Sequence, residues 1–345
     1  MIMSETTKCP MYEAKDYKSD QYVRWCPGCG DHAVVVTLQK AMAEIGIPPH
    51  QTAVISGIGC SSRLPYYMNT YGFHTIHGRG AAIATGVKTA NPELSVWLAS
   101  GDGDSLAIGG NHFIHAVRRN IDINAVLFNN RIYGLTKGQY SPTSARGFVS
   151  KSSPYGTVED PFIPAELVLG ARGNFFARAI DVDMKTLQEC FVASARHRGF
   201  AVTEVLVNCV IFNDGTHKNR SHKDIRADRT ITLRHGEKMI FGANRDKGIV
   251  LEGLKLRAVT IGEDGYTLDD VLVHDKYEQD VTLHHLLAMM GYTDDSMPIA
   301  LGVIRDVEAP CYDRAVEAQI EEIQQKNPIR KLHDLLIQGD VWEIK

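Results

Sequence analysis

Short apolar runs that each end in a polar or glycine-rich corner recur along the chain. Thr52–Ser56 leads into Gly57-Ile58-Gly59-Cys60, Val96–Ser100 into Gly101-Asp102-Gly103-Asp104, and Ile123–Phe128 into Asn129-Asn130. Runs of this length bounded by turn residues predict buried strands. Phe175–Ala179 and Ala201–Val207 predict two more. Between them the spacing turns helical. Val34, Leu38, Ala41 and Ile45 share one face after Asp31, which stands at an N-cap position, and Gly46 with Pro48-Pro49 closes the helix. Ala81 to Thr89, Ile108 to Arg118 and Met184 to Arg198 predict further helices. Strands alternating with helices predict an α/β fold, a mostly parallel sheet with helices on both faces. Ligands of such sheets gather beyond the carboxyl ends of the strands, where the corners fall here.

We expect a polar lead-in over 1–20, the α/β domain over 21–213 and a C-terminal extension over 214–345. Within the extension, His217 to His235 is rich in Lys, Arg and His and predicts an exposed loop, with His217, His222 and His235 solvated. A later helix carries Val316, Ile320 and Ile323 on one face. A formal charge of −4 and a pI near 6.4 give no electrostatic reason to expect nucleic acid or an anionic membrane as partner. No apolar run is long enough to cross a bilayer. The lead-in lacks an apolar signal core, so a cytoplasmic protein is expected.

The corner at Gly101-Asp102-Gly103-Asp104 can bring backbone N–H groups against a diphosphate, because glycines allow close approach and a helix follows. A carboxylate there can hold Mg²⁺, which takes hard oxygen ligands together with phosphate oxygens. Asn129-Asn130 ends the next strand, so its side chains should lie beside Asp102. Either piece alone is an ordinary turn; both at consecutive strand ends favour a cofactor. The pair resembles the thiamine diphosphate signature. That resemblance implies magnesium ligands at Asp102, at Asn130 and at the Ile132 carbonyl.

The seven cysteines are an odd number in a chain without an export signal, which favours metal or redox chemistry over a disulfide framework. Trp25-Cys26-Pro27-Gly28-Cys29 precedes a helix. Alone it fits a thioredoxin-like dithiol, half of a zinc site, or two ligands of an iron–sulfur cluster. Cys60 and Cys209 follow strands and are candidates to join it. Four thiols suit a cluster or zinc, and only the cluster gives electrons a path. Cys190 reads as a core residue on its helix, and Cys9 and Cys311 receive no role.

Cys26-Pro-Gly-Cys29-Gly, Gly57-Ile-Gly-Cys60, His77-Gly-Arg79 and Gly101-Asp-Gly, in that order, resemble the β-subunit of 2-oxoacid:ferredoxin oxidoreductases. The resemblance implies a 4Fe–4S cluster on Cys26, Cys29, Cys60 and Cys209. It also implies a cofactor wall of Ile58, Gly59, Cys60, His77, Gly78, Gly101, Asp102, Gly103, Asp104, Asn130, Ile132, Tyr133, Gly134, Leu135 and Thr136. The implied reaction decarboxylates a 2-oxoacid, passes electrons through the cluster to ferredoxin and gives the acyl group to coenzyme A. The chain shows no second unit to supply the acid that faces the cofactor's aminopyrimidine. The resemblance places that acid on an α-subunit, so we expect an α2β2 complex and an inactive chain alone. Leu135-Thr136-Lys137-Gly138-Gln139 resembles the 2-oxoglutarate type, where Lys137 would pair with the second carboxylate of the substrate; Arg63 is a second cationic candidate. His77 either touches the diphosphate or the reacting centre or is a satisfied core histidine, and the alternative for Lys137 and Arg63 is an exposed loop charge. The alternatives are pyruvate or broad 2-oxoacid specificity, a non-oxidative thiamine enzyme half, or a non-catalytic subunit stapled by zinc.

Overall fold

The computed structural model describes residues 12–326 and 331–344. Among the described residues eleven strands run in chain order: β1 (Thr52–Ser56), β2 (Tyr71–His74), β3 (Ser95–Gly101), β4 (Ile123–Asn129), β5 (Phe175–Ile180), β6 (Phe200–Leu206), β7 (Thr230–Leu233), β8 (Ile240–Phe241), β9 (Lys247–Glu252), β10 (Lys255–Thr260) and β11 (Ile299–Asp306). Eight of them form one sheet in the order β2-β1-β3-β4-β6-β5-β11-β7, and β10-β9-β8 form a small antiparallel sheet. Every neighbour in the large sheet is parallel except β11 against β5.

Strands β3 and β4 explain why helices cover both faces. Val96, Leu98, Ala125 and Leu127 point into one core with Ala84, Phe113 and Val168. Trp97, Ala99, Val126 and Phe128 point into the other with Val34, Leu38, Leu187 and Phe191. Side chains alternate along a strand, so a strand buried on both sides reads as an unbroken apolar run. The helices Gly80–Ala90 and Gly110–Arg119 cover the first face, and Asp31–Ile45 and Met184–Arg196 the second.

Three expectations need correction. Asp31 is the first helical residue and Gly30 is its cap; Asp31 is buried, and burial with Asp181 alongside pushes its carboxyl up to about 7. The stretch from His217 to His235 contains two short helices and β7, not one exposed loop. Residues 214–345 are also no mere appendage, since β7 and β11 lie in the large sheet beside β5. The helix Tyr312–Lys326 leaves Ile320 and Ile323 exposed. Cys9 lies outside the described residues.

Candidate active site

The turns after β1, β3 and β4 meet at the carboxyl edge of the sheet around a cleft of about 180 Å³. Its wall includes Ile58, Gly59, Cys60, His77, Gly101, Asp102, Gly103, Asp104, Asn130, Ile132, Tyr133, Gly134, Leu135 and Thr136, with Ser61 and Phe128. Of the cofactor residues expected from the sequence, only Gly78 is not on that wall. A larger hollow of about 1360 Å³ opens where the helix Met184–Arg196 ends, beside Lys276 and Asp306. It lies at the opposite end of the sheet, away from these turns.

Asp102 is 2% exposed. Burial pushes its carboxyl up to about 6, against the lowering effect of two hydroxyls: Ser141 Oγ and Thr143 Oγ1 each donate to Oδ2 at 2.5 Å. Thr143 Oγ1 also lies 2.9 Å from Asn129 Oδ1, which ties the two strand ends together. Asn130 Oδ1 accepts from the Ile132 N–H at 3.2 Å. The carbonyls of Asn129, Asn130 and Arg131 are all occupied by side-chain donors. His217 Nε2 bonds Asn129 O at 2.9 Å, Asn213 Nδ2 donates to Asn130 O and Arg131 O at 3.1 Å each, and Ser144 Oγ donates to Arg131 O at 2.7 Å. Among the described residues, no hydrogen bond ends on the Ile132 carbonyl.

Asp104 faces inward. Its Oδ1 accepts from Gly78 N (2.7 Å), Ile58 N (3.1 Å) and His77 Nδ1 (2.7 Å), and its Oδ2 from Ser100 Oγ (2.6 Å). With both oxygens engaged, it is a strap joining the loops that carry Ile58, Gly78 and Ser100. Gly78 sits at φ +70°, and a Cβ there would stand 2.7 Å from Gly109 N. Glycine is what lets this loop approach the wide turn Asp104–Ile108. Tyr133 Oη donates to Gly103 O at 3.0 Å and its ring meets that of His77 edge-on.

The thiols lie on the adjoining side. A Cβ on Gly134 would stand 3.4 Å from Cys60 Sγ and 3.7 Å from Cys209 Sγ, so those sulfurs are within about 7 Å of each other. Burial, then Asp31, Cys209 and Cys26, push the Cys60 thiol up to about 12; burial, Asp31, Cys209 and Cys60 push Cys29 up as well. Each of the four thus lies within electrostatic reach of others in the set. The Trp25 indole donates to Cys60 O at 2.7 Å, which ties the first cysteine pair to the third. Among the described residues, no three His, Cys, Asp or Glu side chains gather closely enough to share one metal ion. Cys190 is in the core, and Cys311 is buried in front of the helix Tyr312–Lys326.

Lys137 is exposed at the turn beyond Thr136, at φ +77°, and no hydrogen bond or ion pair to its ammonium is seen among the described residues. Arg63 Nε donates to Tyr67 Oη at 3.0 Å, beside Cys60. Sequence reasoning missed Ser141, Thr143, Ser144, Asn213 and His217. His217, expected in solvent, is buried; burial first and then Arg131 push its imidazole down to about 3. The polar run Ser141-Pro142-Thr143-Ser144 just after the asparagine turn was the one available signal.

Residues 57–205, which hold the three corners, match the family described as thiamine pyrophosphate enzyme, C-terminal TPP binding domain. The chain is 45% identical over 342 residues to the 2-oxoglutarate oxidoreductase subunit KorB of Mycobacterium tuberculosis, covering 98% of this chain and 90% of that one. It is 45% identical over 185 residues to the 2-oxoglutarate synthase subunit KorB of Archaeoglobus fulgidus, covering 54% of this chain and 69% of the other. Among solved structures it is similar to a 2-oxoglutarate:ferredoxin oxidoreductase from Magnetococcus marinus with 2-oxoglutarate, coenzyme A and succinyl-CoA bound. The TM-score is 0.77 at 32% identity, over 97% of this chain and 98% of that one.

Proposed function

Because the chain belongs to the β-subunits of 2-oxoacid:ferredoxin oxidoreductases, we propose that it carries the diphosphate-binding and electron-conducting half of an enzyme for 2-oxoglutarate. In this reading 2-oxoglutarate and coenzyme A give succinyl-CoA and CO2, with ferredoxin as electron acceptor. The observation that carries it is the shared position of Gly134. That residue walls the cleft holding Asp102 and Asn130 and touches the space between Cys60 and Cys209.

The residues fit the groups the reading needs. Asp102, Asn130 and the free Ile132 carbonyl form a set of hard oxygens, as Mg²⁺ requires. Among the described residues no three of the thiols Cys26, Cys29, Cys60 and Cys209 gather closely enough to share one metal ion, which disfavours a single tetrahedral zinc. In a 4Fe–4S cluster the four thiolates need not meet at one ion. When bound, thiamine diphosphate supplies the nucleophilic carbon for decarboxylation, and the cluster supplies one-electron transfer to ferredoxin.

The chain's own residues orient and select. Ser141 and Thr143 hold Asp102 in one rotamer, and Asp104 fixes the loops bearing Ile58 and His77. His77 Nε2 is left for a ligand, with Nδ1 on Asp104. The cleft, at about 180 Å³, is smaller than the roughly 300–1,000 Å³ of a complete ligand pocket. That supports an α-subunit closing the site with the pyrimidine-binding half; the assembly proposed is α2β2.

Lys137 follows Thr136 of the cleft wall and is exposed, with no partner among the described residues; it fits the distal carboxylate of a 2-oxodicarboxylate, and Arg63 is a second candidate. A charge-assisted hydrogen bond contributes about 1.5–3 kcal/mol, roughly a 10- to 150-fold effect. In the complex with its α-subunit, Lys137→Ala is therefore expected to raise KM for 2-oxoglutarate by about that factor and leave KM for 2-oxobutyrate nearly unchanged. Equal losses for both acids, in a ferredoxin-reduction assay, would remove Lys137 from substrate choice and favour broad 2-oxoacid specificity.

A further inference from the structure

Asn213 fastens the loop that carries Cys209 to the carbonyls of Asn130 and Arg131. Asn213 closes the loop on itself, its N–H donating to Cys209 O at 3.1 Å in an isolated antiparallel bridge. Its Nδ2 leaves the loop and donates to both Asn130 O and Arg131 O, at 3.1 Å each. Arg131 stands at φ +55°, a conformation that side-chain-bearing residues adopt at a cost and keep only where surrounding contacts hold it. Asn213 and Ser144 supply those contacts. With the Asn130 and Arg131 carbonyls turned toward the Cys209 loop, the next carbonyl, Ile132, accepts no hydrogen bond among the described residues.

From this geometry we infer that Asn213 is a positioning residue that couples the cysteine loop to the magnesium turn, so that neither cofactor's ligands can shift alone. The inference rests on the thiamine diphosphate and cluster reading above. Neither group touches Asn213 in this scheme; it acts on both through backbone. Its two amide hydrogens are what the role requires. Asn213→Asp keeps the shape, removes the donors and sets a carboxylate against two carbonyls. Asn213→Ala removes the group altogether. The residue is half-buried in a surface loop, so both variants should fold.

The test uses the intact complex with its α-subunit. Two quantities are read: the dissociation constant for thiamine diphosphate at fixed Mg²⁺, and the electron paramagnetic resonance spectrum of the reduced cluster. Both variants should weaken cofactor binding roughly 10-fold, from the loss of two hydrogen bonds, and should broaden or shift the cluster signal. A merely structural loop residue would lower the melting temperature and leave the spectrum of the folded fraction unchanged. A change in only one readout, or in neither, overturns the coupling. A wild-type complex that lacks the cluster or does not bind the cofactor defeats the underlying reading instead, so the two failures are distinct.

Discussion

Glu204→Ala is expected to destabilise the chain by about 3–5 kcal/mol, the usual effect of removing one partner of a buried ion pair. Glu204 and Arg178 face each other on β6 and β5 at 2.7 Å, with both side chains fully buried. Arg178 also donates from Nη2 to Ala288 O and from Nη1 to Ala300 O, and its guanidinium lies 4.9 Å from the centre of the Tyr292 ring. Without the carboxylate, a guanidinium charge would remain in the middle of the sheet. The second Glu204 oxygen accepts from Asn129 Nδ2 at 2.7 Å, and Asn129 in turn meets Thr143, which holds Asp102. The loss should therefore reach the cofactor end of β4. Urea denaturation of Glu204→Ala and of Arg178→Met with Glu204→Leu separates the causes. The double variant should recover most of the stability, since neither charge remains. Equal destabilisation in both would mean that shape, not the stranded charge, sets the cost.

Asp102→Ala is expected to weaken Mg²⁺-dependent binding of thiamine diphosphate by at least about 100-fold, beyond what loss of an outer-sphere contact causes. It removes the proposed charged metal ligand and strands the Ser141 and Thr143 hydroxyls in a buried site. Iron content should stay at the wild-type level, because Asp102 touches none of the four cysteines in the contacts described. Titration of cofactor-depleted complex at fixed Mg²⁺ measures the effect. Unchanged affinity would mean that the Gly101-Asp102-Gly103 corner does not hold the metal.

The parts of the fold that were readable are those where burial on both faces makes the pattern simple. β1 was placed to the residue, and β3 and β4 to within one residue at either end, because every central position is apolar. β2 was missed because it is an exposed edge of Tyr, Gly, Phe and His. β11 was missed because Gly302, at φ +88°, and the irregular register between Val303 and Arg305 interrupt its pattern. β7, Thr-Ile-Thr-Leu, is short and hidden in a basic stretch.

The cleft was legible for a similar reason: close backbone approach needs glycine, and a metal needs carboxylate or amide oxygens, so both leave a mark on composition. Ser141 and Thr143 leave a weak one, since hydroxyls serve turns everywhere. Asn213 and His217 leave none, because they act on backbone carbonyls that any residue could provide. The average character of the segment from His217 to His235 suggested solvent, yet His217 and Arg220 are buried. Asp104 lines the cleft, and its oxygens accept from the loop donors that hold that wall together.

The proposal that four thiolates and a magnesium-bound diphosphate share one crevice is tested most directly by elemental content. Iron, zinc and acid-labile sulfide would be measured in the complex of this chain with its α-subunit, wild type against the paired variant Cys60→Ser and Cys209→Ser. The wild type should exceed the variant by about four iron and four sulfide per copy of the chain, with thiamine diphosphate bound in the wild type. Equal iron in both, or one zinc per copy lost in place of iron and sulfide, would contradict it.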